Sequence, residues 1–471
     1  MATFMSDASP STSPPPPPPL ASEEEETRPS YDASERYARI PGVPRRIHIL
    51  GTGSVGKLVA HSLRGIPNPP PITLIFHRYR LLHAWRESKQ EIVIESDGYK
   101  VPRSGFEVEL AVGVSRSHGA PDDGREESDT RTTLQPRLPE HPREAETETE
   151  TETEAEADAQ SNQVDDVDER QLRQSAPDAP PSDEPIHNLI VTVKAPHTIS
   201  AIRPIKHRLL PTSTICFIQN GMGTIDDVNR ALFPDPATRP NYMQGILNHG
   251  VNQASVTDPF TAIHAGHGTL ALGILPREED SLSLQDSVPF SPNARYLLRT
   301  LTRTPVLAAV GVPPIDLIQL QLEKLAVNSV INPLTVLLDA PNGSILYNYA
   351  ITRSMRLILA EVSLVLRSLP ELRGLPNAHA RFAPDRLESL VVNVANVTAN
   401  NISSMLADVR AGRQTEARWI SGYVVRRGEQ LGLQCVCNYM MQQLVDGKTK
   451  MVENEADAQV RVEKPDLSGE R

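Results

Sequence analysis

The segment IHILGTGSVGKLVAHSL, beginning at Ile47, sets a short apolar run before Gly51, Gly53 and Gly56 and an amphipathic stretch after them. Each glycine has a chemical use in such a context. Gly51 makes a tight turn, Gly53 lets the backbone approach a pyrophosphate, and Gly56 lets a helix pack closely on the strand before it. The N-terminus of that helix, entered through Thr52, Ser54 and Val55, attracts an anion. A second apolar run, ITLIF, follows about 20 residues on, where a dinucleotide site selects its ribose. An Asp or Glu there would bind the 2′-hydroxyl of NAD. This chain has His77, Arg78 and Arg80 instead and no carboxylate, a set that favours the 2′-phosphate of NADP. The plain alternatives are a structural glycine turn and an exposed basic loop.

A second group of candidates lies in the C-terminal half. Lys324, Asn328 and Asn332 recur at i, i+4 and i+8 in an otherwise apolar stretch, placing them on one stripe of a helix. Asn393, Asn396, Asn400, Ser404 and Asp408 recur every three or four residues, with Asn401 and Glu416 nearby. From spacing alone, both stripes read equally as polar groups of a site and as helix-to-helix hydrogen bonding or a wetted surface. Asn332 also precedes Pro333 and so reads equally as a residue of a kinked backbone. His249, His264 and His267 include an HxxH spacing but lack a third ligand, so no metal is expected. Met405 and Trp419 read as core.

These residues need a scaffold of two kinds. Short β-branched runs (RRIHIL, ITLIF, EIVIE, NLIVTVK, TICFIQNG) alternate with helical or loop stretches, the pattern of a parallel sheet with crossovers. After about residue 312, segments with a 3.6-residue period take over, as in IDLIQLQLEKLAVNSVINPLTVLL. The fold class expected is therefore α/β followed by all-α. A Rossmann-type nucleotide-binding domain is expected over 41–311, interrupted by an insertion at about 111–184, and a helical domain over 312–450. Disordered tails are expected at 1–40 and 451–471.

Charge supports this partition. The 471 residues hold 47 Lys and Arg against 59 Asp and Glu, a net of −12, which argues against a nucleic-acid partner. The acid is concentrated, however. Residues 121–184, including EAETETETETEAEADA, have 21 acidic and 6 basic residues, and residues 1–40 have 7 and 3. The remainder carries 38 basic against 31 acidic residues, a modestly basic body suited to an anionic ligand. The run Pro14 to Pro19 reads as a solvated spacer or as a polyproline II ligand for an SH3-type or profilin-like protein. Cys216, Cys435 and Cys437 make neither a disulfide framework nor a zinc site, in keeping with a reducing compartment. No apolar run reaches the length of a membrane span, and the start lacks a secretory or transit signal. The expected location is cytoplasmic, with the mitochondrion as the alternative.

Several motifs in order resemble the ketopantoate reductase family (2-dehydropantoate 2-reductases): GTGSVG, VTVKAP with Lys194, QNGMGT with Asn220, His249-Gly250, KLAVNSVINPLT, NNISSMLADVRAGRQTE and ISGYVV. The resemblance covers roughly 41–110 and 185–445 and departs in the tail, the acidic insertion and added length around 275–295. It implies NADPH-dependent reduction of 2-dehydropantoate to (R)-pantoate, toward pantothenate and coenzyme A. It implies Lys324 as general acid, with Glu416 orienting it, and Ser404 with Asn401 on the substrate carboxylate. Asn328 and Asn332 are implied at its other polar groups, and Lys194 and Asn220 at cofactor and substrate. The expected partners are a small 2-keto acid, a second copy in a homodimer and a polyproline-binding protein, without nucleic acid or membrane. The rival readings are a reductase of another 2-keto or β-hydroxy acid and a non-catalytic dinucleotide-binding scaffold.

Overall fold

The runs at Ile47 and Ile72 are almost wholly apolar instead of alternating, as strands buried on both faces of a parallel sheet must be. In the computed structural model, which describes residues 42–111, 182–255, 258–277 and 290–462, they are β1 (Ile47–Leu50) and β2 (Ile72–Phe76), paired in parallel with Ile47 opposite Ile72. The strands β3 (Ile92–Ser96), β4 (Tyr99–Arg103) and β5 (Glu107–Leu110) precede the acidic stretch. After it come β6 (Ile186–Val191), β7 (Leu209–Phe217), β8 (Asn241–Leu247), β9 (Gly250–Gln253), β10 (Thr261–Gly266), β11 (Leu270–Ile274) and β12 (Ala309–Gly311). The large sheet has the order β12-β11-β8-β7-β6-β1-β2-β5. From β5 to β8 every pairing in it is parallel, and β11 returns antiparallel on β8. The chain builds outward from β1 in one direction and then restarts on its other side at β6. That reversal opens a crevice at the C-terminal ends of β1 and β6, where ligands of open α/β sheets bind. The 1–40 tail, most of the 111–184 insertion and residues 278–289 of the added length lie outside the described residues.

EIVIE departs from expectation. It forms β3 of a separate four-stranded sheet, order β4-β3-β10-β9, and does not join the parallel sheet. Two features explain this. The run alternates in burial, as a strand with one dry face does, and it is followed by Asp97-Gly98, both at positive φ, which turn the chain straight back into antiparallel β4. The small sheet grips α1 (Ser54–Arg64), the helix that follows the glycines. Lys57 Nζ donates to the carbonyls of Pro259 and Thr261 at 2.9 Å each, and His61 Nε2 pairs with the Val101 carbonyl at 2.9 Å.

The remaining helices of this half are α2 (Tyr79–Glu87), α3 (Thr198–Ile202), α4 (Thr224–Leu232) and α5 (Pro292–Thr302). The C-terminal half is helical: α6 (Pro314–Leu338), α7 (Tyr349–Ser368), α8 (Ala378–Arg381), α9 (Pro384–Val397), α10 (Ser404–Arg410), α11 (Ser421–Gln430) and α12 (Val436–Val462). The central α6 is apolar nearly all round because neighbours cover it: Leu322, Val330, Val362, Val391, Leu406, Val424 and Val445 belong to one buried cluster. α12 continues to Val462, past the boundary expected at 450. Among the described residues no helix is long and apolar enough to cross a membrane.

The glycine turn leaves no room for a side chain at its two close approaches. Gly51 has φ +102°, and a Cβ on Gly56 would lie 1.9 Å from the Gly51 carbonyl oxygen. Gly56→Ala is therefore expected to destabilise the protein by about 2–4 kcal/mol, seen as a melting temperature lowered by several degrees in scanning calorimetry. An unchanged melting temperature would show that the loop relaxes freely.

Candidate functional site

The crevice is lined first by the glycine turn. Thr192 at the end of β6 donates its hydroxyl to the Gly51 carbonyl at 2.7 Å, fastening the two strand ends. Gly53 caps α1, no side chain caps that terminus, and a Cβ on Gly53 would meet nothing within 4 Å. Thr52, Ser54 and Val55 flank it half-buried. Open space at the uncapped start of an 11-residue helix fits the pyrophosphate of a dinucleotide. His77 and Arg78 are exposed at the end of β2, Arg78 as the N-cap residue of α2, with no carboxylate between β2 and that helix. His197, three residues after Lys194, shares their field. Desolvation, then the charges of Arg78 and Lys194, hold its imidazole below the usual histidine range, while Asp408 opposes them.

The next strand ends bring ionisable groups together. Glu416, buried, lies just before a short turn at Ala417–Trp419 of the helical half and brings its carboxylate to the segments that follow β6 and β7. Its Oε1 accepts from the Ala195 backbone N–H at 3.3 Å and its Oε2 from Asn220 Nδ2 at 3.2 Å. Burial raises its pKa, Lys194 and these two hydrogen bonds oppose the rise, and Asp408 adds to it. Lys194 forms an ion pair with Asp408, a buried residue of α10 that also holds Arg413 at 3.1 Å. Lys324, half-buried in the middle of α6, donates from Nζ to the Leu247 carbonyl at the end of β8, 2.6 Å away. Burial lowers its pKa to about 8, against the opposing pull of Glu416.

Structure thus gathers Lys194, Asn220, Lys324 and Glu416 along the ends of β6, β7 and β8. Asn328 follows Lys324 by one turn, half-buried, and Asn332 by two, buried. The second stripe is not one helix face. α9 ends at Val397, Asn393, Asn396 and Asn400 are exposed, and α10 begins afresh at Ser404. Ser403 breaks the stripe by capping α10: it accepts from the Leu406 N–H and meets the Thr335 hydroxyl at 2.7 Å. Asn401 and Ser404 lie exposed beside that cap, with Ser404 one turn before Asp408. Met405 is core, as expected. Trp419 is not. It is half-buried, donates its indole N–H to Asp227 of α4 at 3.0 Å, and accepts the Met222 N–H on its carbonyl at 2.8 Å. Sequence reading missed His197, Leu247 and this use of Trp419. Asp408 was visible only as a member of a polar stripe.

The histidines form a stack. His249 Nδ1 meets His264 Nε2 at 2.9 Å and the Gly268 N–H at 3.1 Å, and its Nε2 meets the Leu307 carbonyl at 3.0 Å. Among the described residues no group of three or more His, Cys, Asp and Glu side chains is arranged to hold a metal ion.

Two family models match the chain. The one described as "Ketopantoate reductase PanE/ApbA" matches residues 146–277, which include Lys194 and Asn220, and "Ketopantoate reductase PanE/ApbA C terminal" matches 316–449, which include Lys324 and Glu416. The glycine turn precedes both. The "Probable 2-dehydropantoate 2-reductase" of Schizosaccharomyces pombe is 32% identical over 265 residues, 56% of this chain and 74% of that protein. The "Ketoisovalerate reductase" of Beauveria bassiana is 23% identical over 428 residues, 83% of this chain and 79% of that protein. Among solved structures, a probable 2-dehydropantoate 2-reductase from Bacillus subtilis superposes with a TM-score of 0.53 over 86% of this chain and 99% of its own; at 22% identity it supports the fold alone.

Replacing Glu416 by Ala leaves two donors, the buried Ala195 N–H and the half-buried Asn220 amide, without this acceptor, whereas Glu416→Gln retains one acceptor oxygen. Urea unfolding is expected to show a loss of about 1–3 kcal/mol for Glu416→Ala and a smaller one for Glu416→Gln. Equal losses would mean that these hydrogen bonds contribute nothing.

Proposed function

The chain belongs to the ketopantoate reductase family, and on that premise we propose that it reduces 2-dehydropantoate to (R)-pantoate with NADPH, a step toward pantothenate and coenzyme A. The supporting observation is Lys324: an ammonium at the strand ends, its pKa lowered to about 8, within the field of a buried carboxylate. A bound nicotinamide supplies hydride to a keto carbon, and the oxygen left behind needs a proton and a cation. Lys324 provides both at Nζ. Near neutral pH it is charged, yet it gives up its proton far more readily than an exposed lysine. Glu416 sustains the charged form and fixes where the ammonium sits.

Around this donor the other residues bind and orient. Gly51, Thr52, Gly53, Ser54, Val55 and Gly56 hold the pyrophosphate, His77 and Arg78 the 2′-phosphate, and Lys194 with Asn220 the nicotinamide ribose and the substrate. Ser404 and Asn401 take the substrate carboxylate at the start of α10. Asn328 and Asn332 serve its remaining polar groups, among them the 4-hydroxyl. That hydroxyl separates this reading from reduction of another 2-keto acid, which the long match to a ketoisovalerate reductase favours. Ketoisovalerate lacks the group, and a site that hydrogen-bonds a hydroxyl discriminates strongly against an analogue without it. A homodimer accords with the "dimeric Ketopantoate Reductase" of Staphylococcus aureus that shares the fold.

Loss of nicotinamide absorbance with 2-dehydropantoate and with ketoisovalerate tests the assignment. A higher kcat/KM for 2-dehydropantoate is expected, the reverse selects the second substrate, and cofactor binding with no oxidation of either marks a non-catalytic scaffold. Lys324→Ala is expected to lower kcat by about 10²–10⁴-fold with NADPH binding retained. Because the protonated amine is the active form, wild-type turnover should fall as pH rises through about 8. Turnover that is flat from pH 7 to 10, or a fully active Lys324→Ala, would remove Lys324 from the role. Arg78→Glu is expected to raise the Michaelis constant for NADPH by about tenfold or more and to leave that for NADH nearly unchanged; equal effects would refute the 2′-phosphate contact.

A further inference from the structure

We infer that Trp419 is a positioning residue for the reduction, holding the loop that carries Asn220 and the turn that carries Glu416 in one register through its contact with Asp227. The inference rests on the reading of Lys324 and Glu416 given above, and three contacts on one residue carry it. The Trp419 indole N–H donates to Asp227 Oδ2 at 3.0 Å, tying the turn to the first helical turn of α4. The Trp419 carbonyl accepts the Met222 N–H at 2.8 Å, two residues beyond Asn220. Between them Gly221, at φ +78°, passes so close that a Cβ on it would lie 2.7 Å from both the Cβ and the carbonyl oxygen of Trp419.

At the other end of the turn, the Trp419 N–H donates to the Glu416 carbonyl at 3.0 Å, so the turn is closed on itself. Trp419 and Glu416 are thus two ends of one rigid piece, and Asn220 and Met222 are two ends of the loop that receives it. Glu416 meets Asn220, and Trp419 meets Met222 and Asp227. A shift at the tryptophan end moves the carboxylate whose charge acts on Lys324. A smaller ring in this place would still fill space, so packing alone does not require an indole. Only tryptophan brings a ring N–H from this apolar body to Asp227.

Trp419→Phe and Asp227→Ala remove the same hydrogen bond from opposite sides, and Asp227→Asn keeps an acceptor oxygen. In the full-length protein each of the first two is expected to lower kcat for 2-dehydropantoate about tenfold, to leave the Michaelis constant for NADPH within twofold, and to raise amide hydrogen exchange at Ala195, whose N–H rests on Glu416. The double variant Trp419→Phe/Asp227→Ala should lose no more than either single one, and Asp227→Asn should restore wild-type behaviour. Wild-type kcat in either single variant, unchanged exchange at Ala195, or additive losses would overturn the inference. If the wild-type chain does not reduce 2-dehydropantoate, the proposed function fails instead. Exchange at Ala195 then decides the positioning claim alone: a rise in both single variants sustains it, and wild-type protection overturns it.

Discussion

A carboxylate removed from water must be met by donors or cations, or it will not remain charged. Glu416 is that carboxylate. Its partners come from one half of the molecule, the Ala195 N–H after β6 and the Asn220 amide after β7, while its backbone belongs to the other half. The helical half therefore cannot drift from the sheet without stranding a charge. Lys324 repeats the constraint with opposite sign, an amine on α6 whose hydrogen-bond acceptor is the last carbonyl of β8. The ion pair of Lys194 with Asp408 is a third crossing of the same kind, with the lysine on the sheet side and the buried acid on α10. Three such crossings thus bridge the same boundary, and in each a polar group that has lost hydration finds a partner in the opposite half.

The parts legible in the sequence were those where local chemistry leaves few options. The glycines announce a backbone that turns at positive φ or tolerates no Cβ: Gly51 does both, and Gly56 the second. The apolar strands announce burial on two faces, and the 3.6-residue period announces helices. EIVIE differs from expectation because three apolar residues between two acids carry no signature for which sheet they join. The Asp97-Gly98 turn decides the matter by sending the chain back into β4. The stripe from Asn393 to Asp408 failed for a related reason. Spacing assumes an unbroken helix, and Ser403 ends that assumption by spending its hydroxyl on the N–H of Leu406 and on Thr335.

The site was less legible than the fold, because its members are set by crossings between segments far apart in sequence. Asp408 carries no mark that distinguishes it from the exposed asparagines before it; its place in the site comes from Lys194, which arrives from the end of β6 to pair with it. Trp419 reads as core because most tryptophans do. Its indole N–H and carbonyl gain their use from Asp227 and Met222, residues nearly 200 positions earlier. The net charge shows the same principle. An acidic total concealed a body whose crevice collects Arg78, His197, Lys194 and Lys324 against two buried acids.

The placement of those two acids gives the crevice its polarity. Asp408 takes up Lys194 and Arg413 and so neutralises charge at the β6 side. Glu416 lies between, raised in pKa by burial and by its neighbour Asp408, with Lys194 opposing. Lys324, beyond it, is the cation for which burial is the dominant influence and a hydrogen bond to a neutral carbonyl the nearest support. Desolvation acts on Lys324 with little compensation, so its ammonium gives up a proton more readily than that of an exposed lysine. Lys194 has a buried carboxylate as its partner and Lys324 a neutral carbonyl, and that difference is set by the packing of α10 and α6 against the strand ends.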